Sequence, residues 1–274
     1  MILVLACMGL GVLCATAGPW LLRDMGWQVA RPARALRLWF ALFVLGVAAF
    51  LGSVLAAIIQ AAGATDSSGA VTATATVLSG WLLLAVLGVA IGVITHHAGP
   101  LVEGRRTGGA SVLLLVARSE TQRMTVDSAE VSVVAAPTAF AVATRDCDAD
   151  VVISQSLVDV LTPAELRSVI HHELGHLQGR HSMLRTVAMV AGSAAPRARC
   201  GRGFAQTVHL LTELAADDTA ARACGPEIAA SALCALATLT EDPGAALRAQ
   251  RLSRRSPQSS ARRPESLRTR PTVQ

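Results

Sequence analysis

Tyrosine and lysine are both missing from this chain of 274 residues, and charge of either sign is scarce. Charged residues make up 16% of the sequence and hydrophobic ones 52%, whereas about a quarter of a soluble globular protein is charged. That deficit excludes an ordinary soluble enzyme and points to membrane residence. All 24 basic residues are arginine, which with the abundant alanine fits GC-rich bacterial coding. The net charge of +5 does not imply nucleic acid. The arginines are scattered or gathered in the tail, and with 3% aromatic residues no basic patch is interleaved with stacking rings. None of the six cysteines shows C-x-x-C spacing, which removes a cysteine zinc site or a redox pair and leaves reduced, structural thiols.

Long apolar runs are what the chain does have. Three can cross a bilayer, which takes about 20 residues of helix: Met1 to Leu22, Leu36 to Ala62 and Val77 to Ala98. Trp20, Trp39 and Trp81 lie near their ends, as interfacial tryptophans do. The first run competes with a signal peptide, since Ala15 and Ala17 offer a small-x-small cleavage pattern. No basic n-region precedes Ile2, however, and an uncleaved span is expected. Arg23, Arg31, Arg34 and Arg37 fill the first loop, the second loop has no basic residue, and Arg105, Arg106 and Arg118 follow the third run. The positive-inside rule then puts the first loop and everything after the third span in the cytoplasm of a bacterial cell. His96 and His97, at the end of that span, read as interfacial packing.

The chain accordingly divides into a membrane region, 1–102, a folded region, 103–245, and a basic tail, 246–274. In the folded region, Ala110 to Arg118, Glu130 to Ala136, Ala139 to Thr144 and Asp150 to Ser156 read as short strands between polar turns. "LTPAELRSVIHHELGHLQG" reads as a helix with its punctuation: Thr162 as N-cap, Pro163 at the first helical position, Glu165 closing a capping box and Gly179 as C-cap. The apolar stretch Met183 to Ala195 is a core helix or a membrane-dipping one. Two more helices follow, Phe204 to Cys224 and Pro226 to Leu239. The tail from Arg248 holds eight arginines against the single acid Glu265 and reads as disordered. Its partner is the anionic inner leaflet, at about 1 kcal/mol per basic residue, or else it is an inert solvated tail.

Within the capped helix, His172 and His176 stand four apart and so share a face, with Glu173 directly after the first. H-E-x-x-H is the pattern in which two imidazoles bind zinc and the glutamate acts as general base on a zinc-activated water. A catalytic zinc needs a third protein ligand. The arrangement H-E-x-x-H-x-x-G-x-x-H finds its glycine in Gly179 but meets Ser182 where the last histidine should be; His181 comes one position early and reads as sitting near the helix end. The alternative, the gluzincin arrangement, takes a glutamate from a later helix. "HLLTELAADDTAAR" supplies Glu213 as ligand, with Asp217 four residues on to accept the second N–H of a ligand histidine. His209, one turn before Glu213, shares that face and reads as a packing or supporting residue ahead of a donor to a substrate carbonyl or intermediate. His171 points about 100° away from His172 on the helix and is a surface or packing residue.

The stretches Pro137 to Leu184 and Glu213 to Arg222 resemble the membrane-embedded gluzincin peptidases. These comprise the HtpX and CAAX-prenyl-protease group and the related peptidase family of the BlaR/MecR β-lactam sensors, whose short actinobacterial members the layout resembles most. The resemblance implies an α+β fold: transmembrane helices, then a zincin-like domain with a small sheet and an H-E-x-x-H helix. It also implies a zinc endopeptidase acting on peptide or protein substrates, one zinc per chain, with His172, His176 and Glu213 as ligands, Glu173 as base and Asp217 in support. The β-lactam sensor domain is absent, so sensing is not implied. A substrate is expected to lie extended beside the sheet along Val151 to Ser154. The competing reading is a non-catalytic membrane signalling or scaffold protein that keeps zinc for structure.

Overall fold

The computed structural model describes residues 25–63, 70–144, 148–193 and 199–255, with isolated positions among the first fourteen. Apart from those positions, the expected first span lies outside the described residues. The described elements are α1 (Met25–Ala30), α2 (Pro32–Gly63), α3 (Ala70–Ser119), β1 (Glu120–Val126), β2 (Ala129–Val134), β3 (Ala141–Ala143) and β4 (Val151–Ser154). They continue with α4 (Gln155–Val160), α5 (Pro163–Gln178), α6 (His181–Ser193), α7 (Arg199–Cys224), α8 (Pro226–Thr240) and α9 (Pro243–Ser253). The chain divides into two compact units, Met1–Ala110 with Gly179–Ala215, and Ser111–Gln178 with Ala216–Gln274.

In the first unit, α2 opens on Pro32, whose missing N–H costs nothing in a first helical turn. Arg34 and Arg37, expected in a loop, therefore lie on helix. Ala35, Leu36 and Trp39 are buried against Leu184 and Ala188 of α6 and Val208, Leu211, Leu214 and Ala215 of α7. The Trp39 ring lies 4.7 Å from that of Phe204, so this tryptophan is a core anchor. The same cluster shows α6 burying one face against protein, with Met183 and Met189 exposed on another. Further along α2, Leu45, Leu51, Leu55, Ile58 and Ile59 are exposed. Pro32–Gln60 is the one described helix long and apolar enough to cross a membrane. The expected third span falls within α3, whose described apolar stretch, Gly80–Val89, is shorter.

The second unit holds a four-stranded mixed sheet in the order β1-β2-β4-β3. β1 and β2 form an antiparallel hairpin, β4 runs parallel to β2, and β3 runs antiparallel to β4. The hairpin turn places Asp127 and Ser128 in the left-handed region, at φ 48° and 70°, as a two-residue turn matching the strand twist requires. Val131, Val133, Val151 and Ile153 present one face of the sheet to Ile170, Leu166 and Leu174 of α5, residues spaced four apart and thus on one helix stripe. Two sequence expectations are corrected here. Ala110 to Arg118 is the end of α3: an unbroken apolar run has no period of its own to mark it as strand, and leucine favours helix. The first strand is the largely exposed "ETQRMTV" instead, whose polar outer face hides it from an apolar pattern.

The capping box of α5 forms as its sequence predicts. Glu165 N–H donates to Thr162 Oγ1 at 3.3 Å, and Thr162 N–H donates to Glu165 Oε2 at 3.0 Å. Ser231 of α8 donates to the other oxygen of Glu165. These bonds, the one from Ser231 first, hold the carboxyl below the usual glutamate range. Their stabilisation is present above that range and is lost as acid protonates the group. The end of α5 differs from expectation. Arg180, at φ 48°, takes the left-handed position assigned to Gly179, and His181 opens α6, buried, with its ring where a Cβ on Gly179 would sit. Residues 246–253, expected as part of the basic tail, lie on α9. Asp242 caps α9 by accepting from Gly244 N–H at 2.8 Å and Ala245 N–H at 3.2 Å. Ala245, Ala249 and Leu252 are buried against Ala220, Ala229, Ala230 and Leu233.

Candidate metal centre

With Leu166, Ile170 and Leu174 of α5 turned to the sheet, the intervening residues are distributed by helix geometry. His172, Glu173 and His176 share a side, and His171 and Arg167 face another. His171 Nε2 lies 2.8 Å from Asp127 Oδ2 in the hairpin turn, and Arg167 Nε donates to the same oxygen. The Arg167 bond, and then the His171 one, hold the Asp127 carboxyl below its ordinary range. This clamp ties the first hairpin to the helix and leaves His171 off the metal face, as its position in the helix predicts.

On the other side, one ligand atom each from His172, Glu173 and His176 lie within 4.8 Å of one another. The two Nε2 atoms face each other at 3.1 Å. Zinc–nitrogen bonds of about 2.1 Å at a tetrahedral angle hold two nitrogens roughly 3.4 Å apart, so the pair is spaced for one shared cation. Asp217 Oδ1 lies 3.0 Å from His172 Nδ1. That contact keeps the proton on Nδ1 and leaves the Nε2 lone pair for a metal. The donor set therefore fits a divalent zinc-type ion. Glu173 is held in turn by β3: Ala143 N–H donates to its Oε2 at 3.0 Å, an orienting backbone donor with no signature in the sequence.

Asp217 reaches His172 because α7 lies very close to α5 at Gly175. A Cβ there would meet Thr219 Cβ at 3.1 Å and the Ala216 Cα at 3.2 Å. Gly175→Val should therefore force the two helices apart, at about 1–3 kcal/mol of overpacking. Because the displaced helix carries Asp217, the same variant should bind zinc more weakly in chelator competition. A valine variant with wild-type melting and wild-type zinc affinity would show that the close approach is unimportant.

The remaining expected residues are on α7. Glu213, one turn before Asp217 on that helix, belongs to the first unit. Its Oε1 accepts from Arg185 Nη2 at 2.5 Å, while Arg185 Nε donates to Thr212 Oγ1 at 2.8 Å. His209 is exposed, and its carbonyl accepts from the Thr212 hydroxyl at 2.6 Å. The neighbouring Asp218 carboxyl is pushed up by burial, against the pull of Arg251 and Arg255. The expectation of a substrate along Val151 to Ser154 is overturned: β4 is interior, paired with β2 on one side and β3 on the other. The sheet edge beside Glu173 is β3. Sequence reasoning missed Arg248 on α9, whose Nη1 lies 3.3 Å from Asp217 Oδ1. The signal for it was available in the Asp-Pro helix start at 242–243 and the buried spacing of Ala245, Ala249 and Leu252.

Comparison with known proteins adds an independent line. The family model described as Peptidase family M48 matches residues 111–271, more than half of the chain. A stretch of 58 residues is 33% identical to a protein named "Protease HtpX homolog" from Persephonella marina. That stretch is 21% of this chain and 20% of the relative, so the match spans about a fifth of the relative's length. No solved structure matches.

Proposed function

This chain belongs to peptidase family M48, and from that premise we propose that it is a multi-pass, HtpX-type zinc endopeptidase hydrolysing peptide bonds at the cytoplasmic face of a bacterial membrane. The observation that carries the reading is the convergence of His172 Nε2, His176 Nε2 and the Glu173 carboxylate on one side of α5, with Asp217 behind His172. Glu213 is the third ligand that the family resemblance implies, and its Oε1 accepts from Arg185. When bound, zinc polarises the scissile carbonyl and acidifies water.

The protein's own groups do the rest. Glu173, steadied by the Ala143 amide on Oε2, takes a proton from the attacking water and returns it to the departing amine nitrogen as the C–N bond breaks. Asp217 keeps the His172 ring turned with Nε2 inward. β3 offers the substrate an edge. In its antiparallel pairing, Thr144 N–H bonds to Asp150 and Ser154 N–H to Phe140 C=O. The alternation of the ladder then turns the backbone groups of Ala141 and Ala143 away from β4; the Ala143 N–H is taken by Glu173, which leaves the Ala143 carbonyl and both Ala141 groups for a visiting strand. An extended peptide added there lies beside the base. His209, exposed on α7, takes a supporting role and not a packing one. The exposed apolar length of α2 anchors the enzyme in lipid.

The test is zinc content with chelator-sensitive cleavage, measured on the full chain in detergent. The expected result is one zinc per chain and proteolysis, or self-cleavage, that stops on chelation and returns with added zinc. A protein that holds zinc but cuts no peptide under any of these conditions would support the scaffold reading instead.

A further inference from the structure

We propose that Arg248 is a positioning residue of the metal centre: through Asp217 it fixes the His172 imidazole in the orientation that ligation needs. The inference rests on the zinc reading of His172 and His176 given above. Asp217 is almost wholly enclosed, with 1% of its side chain exposed. A carboxylate in such a place needs a cation or a full set of donors. Two partners meet on a single oxygen: Oδ1 lies 3.0 Å from His172 Nδ1 and 3.3 Å from Arg248 Nη1. The second oxygen, Oδ2, is buried and has no hydrogen-bond partner among the described residues. The arginine therefore settles which oxygen faces the imidazole, and it balances the charge that would otherwise sit buried beside the ring. Without it, Asp217 is free to turn about its last torsion, and the ring loses the contact that sets its angle.

Arg248 is not needed merely to hold α9 in place. That helix has its own cap at Asp242 and its own apolar contacts through Ala245, Ala249 and Leu252. It is also tied by Arg251 and Arg255 to Asp218, at 2.8 and 2.9 Å. Arg251 and Arg248 sit three apart on α9, yet Arg251 pairs with Asp218 and Arg248 with Asp217. One helix thus carries both a docking arginine and a positioning arginine, which makes the two roles separable by substitution.

The experiment compares wild type, Arg248→Ala, Arg248→Lys and Arg251→Ala as full chains in detergent. It measures zinc affinity by chelator competition and the melting midpoint of the metal-free protein. Loss of a group supporting a ligand histidine lowers metal affinity about 10–100-fold, and that is the loss expected of Arg248→Ala. Arg248→Lys, keeping the charge without the planar fork, should fall between it and wild type. Arg251→Ala should melt lower but bind zinc like wild type. Wild-type affinity in Arg248→Ala would overturn the proposal, as would an equal loss in Arg251→Ala, which would make docking of α9 the cause. If Arg248→Ala does not fold, the contrast of Arg248→Lys with Arg251→Ala decides in the same way. A wild-type chain that binds no zinc would remove the zinc reading itself, and this inference with it.

Discussion

Replacing Glu173 by glutamine is expected to give a protein that holds zinc at the wild-type level and has lost about 10²–10⁴-fold of its cleavage rate. Glutamine keeps the shape of the side chain and an oxygen on which the Ala143 amide can still donate, so the contact between β3 and α5 survives. The two imidazoles are untouched, which is why the metal stays. What disappears is the carboxylate placed beside their Nε2 atoms to accept a proton. Zinc content and peptidase rate, measured on the same preparation, separate the two effects. Cleavage at the wild-type rate in this variant would remove Glu173 from the chemistry and leave the base to be sought elsewhere.

The second large effect is expected in the layer beneath the site. Ile170 is fully buried between Val131, Val133, Val151 and Ile153, and it stands two residues before His172 on the same helix. Truncation to alanine removes a large part of the contact that seats α5 on the sheet. Substitutions of this kind cost about 2–5 kcal/mol. The loss should appear as a lower urea midpoint with an unchanged slope, together with weaker zinc binding, since both ligand histidines ride on the loosened helix. A cost below about 1 kcal/mol would mean that the sheet does not hold the helix.

Much of this arrangement could be read before any coordinates. The helix of residues 163–178 announced itself through Thr162, Pro163 and Glu165, because a capping box is a local device whose partners are three residues apart in the chain. The spacing of His172, Glu173 and His176 is local in the same sense. Pairings set by distant contacts were not legible. Strand order placed β4 between β2 and β3, and no pattern within "DVVISQS" distinguishes an interior strand from an edge one. Ala110 to Arg118 looked like strand because apolar runs without a period fit either state, and α3 absorbed it. Arg248 was misread for a compositional reason. It opens a stretch dense in arginine, and the alanines that dock its helix are too small to stand out as a core.

The shortness of β3 bears on what such an enzyme could accept. Three residues make a ladder that can grip only a brief piece of a visiting polypeptide, and it must be unwound before it fits. Intact globular domains keep their main-chain groups occupied and have nothing to offer that rim. Selection would then fall on how loosely a victim is folded, more than on the letters it carries.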